Sequence, residues 1–263
     1  MIYSTHSSFQ NKTMATRNVY EEKVAISEEK KRLEGFPYPF TVSISVIGDN
    51  IEGKKILDLG SGPNKSLGNW ANSLKASYFP CDISKEFLLN QMSNGNTNCC
   101  LCSAHNLPFE NNTFDIAHVR FLLIHVNDPH KRAQLINQVV SVCKNFMFLE
   151  FDWSTFKYGP IVGEFVKLTL EIMKEIADFD IGRRLEQEIS RVAPIRSVTK
   201  HKRPIGNYYR EILPLANSLK ATASKINPNL IDRADEMIVN ITKESEKEEP
   251  ELFTPPEIVV VTN

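Results

Sequence analysis

The segment Lys55-Ile-Leu-Asp-Leu-Gly-Ser-Gly-Pro63 runs an apolar strand straight into Gly60-Ser61-Gly62, and it constrains the chain more than any other stretch. A strand that ends on glycines opens its backbone N–H groups to a ligand with no Cβ in the way. Two common uses of such a loop do not fit. A dinucleotide fold needs a third glycine at position 65, where this chain has Lys65, and a P-loop needs a Gly-Lys-Ser/Thr run that is absent. About 20 residues further on, Tyr78-Phe-Pro-Cys-Asp-Ile-Ser84 ends a second apolar run on Asp82, where a carboxylate accepts both hydroxyls of a ribose. Gly60 to Asp82 therefore reads as a nucleoside site.

Around this site short apolar runs alternate with helical stretches. Strands are expected at Lys55 to Leu59, Ala76 to Cys81, Cys99 to Cys102, Phe114 to Val119 and Phe146 to Phe151. Helices are expected between them at Leu67 to Lys75, Lys85 to Ser93 and Pro129 to Lys144. The alternation predicts a parallel sheet covered by helices. Later come a wide apolar stripe over Ile161 to Ile176, helices over Arg184 to Val192, Tyr208 to Lys225 and Leu230 to Lys247, and strands at Ile195 to Lys200 and Glu257 to Thr262. The helices at 160 to 190 and 205 to 247 read as an inserted cap, and the stripe reads more as core than as a substrate pocket. The run Glu28-Glu29-Lys30-Lys31-Arg32 before Leu33 reads as a solvated helical arm.

Composition excludes several classes of partner. Lys plus Arg at 31 against Asp plus Glu at 32 gives a net charge of -1, which supplies no field to steer the chain onto nucleic acid. Its apolar runs fall short of the ~20 residues that span a bilayer, and Met1 to Tyr20 lacks a signal peptide's apolar core, so a cytoplasmic protein without membrane partners is expected. The Asn-X-Thr sequences at Asn11, Asn111 and Asn240 are then coincidences. Five cysteines include Cys99, Cys100 and Cys102, whose side chains alternate across a strand rather than converge. Neither Cys81 nor Cys143 brings a second ligand pair, so reduced thiols and no metal are expected.

Beyond Asp82, the segment Ser103-Ala-His-Asn-Leu-Pro-Phe-Glu-Asn-Asn-Thr-Phe-Asp115 leads into the fourth strand and Val119-Arg-Phe-Leu-Leu-Ile-His125 leaves it. In order and spacing this series resembles the class I S-adenosylmethionine-dependent methyltransferases over residues 50 to 155. Arg32-Leu33, Arg120 to Pro129, Leu149 to Trp153, Ile181 to Leu185 and Phe253 to Val261 look like the branch that acts on small molecules, often in secondary metabolism. The resemblance implies an α/β, Rossmann-like fold: a mostly parallel seven-stranded sheet with helices on both faces and an inserted α-helical cap. It divides the chain into an arm or lid (1–40), a cofactor-binding core (41–155), a cap with a late strand of the sheet (156–250) and a closing strand (251–263).

Carried over, the resemblance puts Gly60, Ser61 and Gly62 at the methionine part of S-adenosylmethionine, Asp82 on its ribose and Ile83 against adenine, with Asp58 also among the cofactor-binding residues. Ser103, Ala104 and His105 fall at the adenine edge, and Arg120 and Phe121 beside the sulfonium. Three positions depart from the family pattern: Asn64 stands for a third glycine and still tolerates a left-handed backbone, Ser103 stands for an acid, and Cys143-Lys-Asn145 replaces a Pro-Gly-Gly turn. His125, Glu150 and Asp152 are the candidates to bind or deprotonate the acceptor, with no metal required. His118 has no assigned role, and Tyr20 is a candidate to close over the cofactor. The expected activity is methyl transfer to a small molecule, releasing S-adenosylhomocysteine. Its rivals are a non-catalytic binder of the cofactor, a methyltransferase with a macromolecular substrate, and a nicotinamide-dependent oxidoreductase disfavoured by Lys65.

Overall fold

The computed structural model describes residues 24–34, 40–93, 95–155, 159–202, 204–205, 208–247, 252–253 and 255–262. Seven strands form one sheet: β1 (Lys55–Leu59), β2 (Ser77–Asp82), β3 (Cys100–Leu101), β4 (Phe114–Arg120), β5 (Cys143–Phe151), β6 (Ile195–His201) and β7 (Glu257–Thr262), in the order β3-β2-β1-β4-β5-β7-β6. The strands β1 to β5 are parallel, while β7 runs antiparallel between β5 and β6. This is the expected mostly parallel α/β sheet. A short ribbon pairs Pro204–Ile205 with Leu252–Phe253.

Nine α-helices lie among the described residues: α1 (Ile26–Glu34), α2 (Thr41–Ile47), α3 (Ser66–Ser73), α4 (Lys85–Met92), α5 (Pro129–Val142), α6 (Pro160–Met173), α7 (Ile181–Ser190), α8 (Tyr208–Ile226) and α9 (Ile231–Ser245). Their starts are written in the sequence. Asp128 accepts hydrogen bonds from the backbone N–H groups of His130 and Lys131, with Pro129 in the first turn of α5. Ser84 caps α4 by accepting from Phe87 N. Helix α5 buries Leu135, Ile136, Val139 and Val142 against β4 and β5 in the main core, each such side chain contributing about 1.5–3 kcal/mol. None of these helices is long and apolar enough to cross a membrane.

One element lies elsewhere than expected. Helix α7, read as cap, packs on the sheet: its Ile181, Leu185 and Ile189 belong to the same core as β4 and β5. Gly182 allows the approach, because a Cβ there would sit 2.0 Å from the Phe151 carbonyl oxygen. The cap proper is α6, α8 and α9, with a core of its own built from Val162, Leu168 and Ile172 against Ile212, Leu219, Ala223 and Ile241. The cysteines also depart from expectation. Cys100 and Cys102 are two residues apart and share a face, and the pairing of β2 with β3 sets Cys81 beside Cys100, so three sulfur atoms gather.

Candidate active site

The glycine loop follows β1 and is held from behind. Gly60 and Gly62 have φ of 70° and 59°, a left-handed backbone that favours glycine. A Cβ on Gly60 would also press on Leu122 Cδ1 at 3.1 Å. Gly60 N and Ser61 N donate to the Cys81 carbonyl, Gly62 N donates to Asp82 Oδ2 at 2.9 Å, and Ser84 N donates to Asp82 Oδ1 at 2.8 Å. Two residues of α4 that the motif reading missed pin the outer turn: Asn90 Nδ2 donates to the Pro63 carbonyl, and Gln91 Nε2 to the carbonyls of Gly62 and Asn64. Asn64 does not take the left-handed backbone its side chain would tolerate; instead its Oδ1 accepts from Ser66 N in a local turn ahead of α3.

The ends of β2 and β3 complete this face of the site. Burial pushes the Asp82 carboxyl up to about 6, against the bonds from Ser84 and Gly62. Next to it Ile83 is 37% exposed, an apolar side chain left at the surface. Ser103 Oγ accepts from His105 N, and burial lowers the His105 pKa. The Ser61 hydroxyl is buried and has no partner among the described residues. The amides of Gly60, Ser61 and Gly62 are engaged within the protein, so the Ser61 hydroxyl and the Asp82 carboxylate are the groups of this loop that fit a nucleoside carrying an amino acid.

Asp58 stands apart. It is buried on β1, where Oδ1 accepts from His118 Nδ1 at 2.7 Å and Oδ2 from the Tyr78 hydroxyl at 2.5 Å, and Ser43 Oγ lies 2.9 Å from His118 Nε2. This four-residue chain runs through the packed interior of β1, β2, β4 and α2. The structure thus gives Asp58 a supporting place beneath the loop and gives His118 a function in the fold.

At the end of β4, Phe121 has a φ of 54°, a strained backbone for a non-glycine residue, fixed by its N–H bond to the Leu149 carbonyl. Its ring stacks on Phe151 at 4.4 Å. Phe151 meets Trp153 edge-on at 5.7 Å, and Trp153 meets Phe179 at 5.8 Å. The Arg120 guanidinium lies 4.4 Å from the Phe121 ring and 4.6 Å from Phe40. These four rings wall a cavity of about 180 Å³ closed on the far side by Phe165 and Met173 of α6 and Ile212 of α8. The α6 stripe is therefore divided between cap core and cavity.

Two of the three acceptor candidates reach this cavity. Glu150, at the end of β5, is buried; Oε1 accepts from Leu123 N and Ile124 N, while Oε2 has no partner among the described residues. Burial pushes its pKa up to about 8. His125 lines the cavity with an exposed side chain, and desolvation there lowers its pKa to about 4. Asp152 does not line the cavity. Its Oδ1 accepts from Ser154 N and Ser154 Oγ, capping the turn Trp153–Thr155.

The arm joins the two halves. Glu29 of α1 accepts from Arg32 and from Ser218 Oγ of α8, and Lys225 Nζ donates to the Val24 carbonyl. On its other side Leu33 lies next to Gly62 and Lys30 pairs with Glu86 of α4. Val24, Glu29 and Arg32 line the cavity. Tyr20 lies outside the described residues.

Comparison with known proteins agrees with this geometry. Residues 57–144 match the family model described as a methyltransferase domain. No curated protein matches the sequence. Among solved structures, the [4+2]-cyclase SpnF superposes with a TM-score of 0.58 at 12% identity, covering 92% of this chain and 94% of that one. An S-adenosylmethionine-dependent methyltransferase from Thermotoga maritima gives 0.55 at 13% identity, covering 93% and 100%. The Haemonchus contortus phosphoethanolamine N-methyltransferase 2, solved with phosphomonomethylethanolamine and S-adenosylhomocysteine, gives 0.55 at 11% identity, covering 94% of this chain and 58% of that one. Residues 57–144 thus carry a methyltransferase domain, and the solved structures that superpose on the chain share its Rossmann-like sheet.

Proposed function

We propose that this methyltransferase acts on a small molecule with an apolar, ring-sized body, enclosed between the strand ends and the cap. The observation that carries the reading is the cavity itself, bounded by Phe121, Phe151 and Trp153 on the sheet side and by Phe165 and Met173 on the cap side. A protein or nucleic-acid acceptor calls for an open approach instead. The cofactor supplies an electrophilic methyl group on its sulfonium. Asp82 would accept from the ribose hydroxyls, the Ser61 hydroxyl would hold the methionine part, and Ile83 with Ser103, Ala104 and His105 would bound the adenine. Arg120 and Phe121 separate the cofactor from the acceptor.

The polar groups of the cavity divide the remaining work by their protonation. His125, neutral at pH 7, lines the cavity and is the candidate to accept the proton that the acceptor loses. Glu150 stays protonated at pH 7, with its pKa near 8, so it donates a hydrogen bond that orients the acceptor. The arm excludes water by bridging the loop and the cap.

Release of S-adenosylhomocysteine from a panel of small phenols, amines and carboxylates, with protein and RNA mixtures beside them, tests the reading. Turnover of a small acceptor that Met173→Trp abolishes, with S-adenosylhomocysteine binding retained, is the expected result. Turnover of macromolecules alone, or full activity in Met173→Trp, overturns it.

A further inference from the structure

Outside the active site, the sheet edge carries a chemical group that methyl transfer does not use. Sγ atoms of Cys81, Cys100 and Cys102 lie within 4.8 Å of one another. Three sulfurs around one ion at about 2.3 Å sit about 4 Å apart, so small side-chain rotations bring these to ligand distance. We propose that Cys81, Cys100 and Cys102 form a binding site for one thiophilic d10 cation, of the Zn2+ or Cu+ type.

Three features support a built site. The backbone carrying the sulfurs is fixed: Cys81 pairs in register with Cys100, Cys102 N donates to the Asp82 carbonyl at 3.1 Å, and the Cys81 carbonyl takes two bonds from the glycine loop. Preset ligands lose little entropy on binding. Cys81 is fully buried while Cys100 and Cys102 are half-buried, so one side stays open for entry and for a fourth ligand such as water. Cys100 and Cys102 pack against the main core together with Phe79, Phe109 and Ala104, so apolar side chains adjoin the site.

The remaining two cysteines are internal controls. Cys99 points to the other side of the strand, its Sγ bonded to the Asn96 carbonyl, and Cys143 is buried in the main core. On binding, each of the three S–H bonds breaks as an S–metal bond forms, and three protons pass to solvent. Affinity therefore rises with pH.

The test is titration of the reduced, metal-free full chain with Cd2+ under anaerobic conditions, read by the ultraviolet thiolate-to-cadmium charge-transfer band and by intact mass. The expected result is saturation at one ion per chain with a three-thiolate band, and displacement by Zn2+. Cys100→Ser and Cys102→Ser, both half-buried positions, each weaken Cd2+ binding roughly tenfold or more, whereas Cys99→Ser and Cys143→Ser leave it unchanged. Absence of a saturable site in the wild-type chain overturns the proposal. So does a band that survives Cys100→Ser and Cys102→Ser, or one that disappears with Cys99→Ser.

Discussion

His118 Nδ1 meets Asp58 Oδ1 at 2.7 Å across the pairing of β4 with β1, although the two residues are 60 positions apart. The contact turns the acid just before the glycine loop inward. The Asp58 carboxylate is shared with Tyr78. A buried carboxylate loses one charge-assisted bond when that phenol is removed. Tyr78→Phe is expected to lower stability by about 1–3 kcal/mol in urea unfolding, with S-adenosylhomocysteine affinity kept. Loss of affinity without loss of stability would assign Asp58 to the ligand instead.

Asp82 is the opposite case, a carboxylate whose two backbone partners leave lone pairs toward the site. Asp82→Ala should weaken S-adenosylhomocysteine binding by roughly 2–3 kcal/mol in calorimetry. Since the carboxyl titrates near 6, wild-type affinity should hold above that pH and decline below it as the acceptor oxygens take up a proton. An equal response to pH in Asp82→Asn would remove the assignment.

Glu150 gives a pH signature to stability. Its folded pKa near 8 lies above the ordinary 4.5, so the folded chain keeps a proton that the unfolded chain has released. That contribution is full below about 4.5 and is lost as pH rises through 8. Glu150→Gln removes the titration, and its stability relative to wild type should improve by up to about 1.4 kcal/mol per pH unit between pH 5 and 8. Parallel curves for the two proteins in that window would show a carboxyl that ionises normally.

The arm prediction rests on Ser218. Its hydroxyl donates to Glu29 Oε2 at 2.8 Å, tying α1 to α8. Ser218→Ala should raise hydrogen exchange over Ile26–Glu34, while S-adenosylhomocysteine should slow exchange there in the wild type, because Leu33 lies against Gly62. Identical exchange with and without the ligand would leave the arm a static wall.

The parts of this architecture that were legible in the sequence are those governed by local backbone rules. Gly60, Gly62 and Asp82 announced themselves because a left-handed turn and a strand-end carboxylate restrict residue type. Pro129 after Asp128 marked a helix start for the same reason. Helix α2 was not read, since Thr41-Val-Ser-Ile-Ser-Val-Ile47 is rich in β-branched residues and acquires its form by packing Ile44 and Ile47 against β1 and α3. Asn90 and Gln91 were missed because a side chain that reaches back to a loop leaves no periodic trace. The thiol cluster was half legible: period two puts Cys100 and Cys102 together, but only the register of β2 on β3 delivers Cys81.

Strand β7 sits between β5 and β6 in the sheet, yet in the chain it follows both, and α8 and α9 lie between β6 and β7. During synthesis β6 has no neighbour to pair with until β7 arrives, so the edge of β5 stays open while the two helices already exist. Seating β7 then draws its preceding helices across the strand ends. Completion of the sheet and roofing of the cavity are therefore expected as one late, long-range step, and the slowest phase of refolding should coincide with the first appearance of the closed cavity.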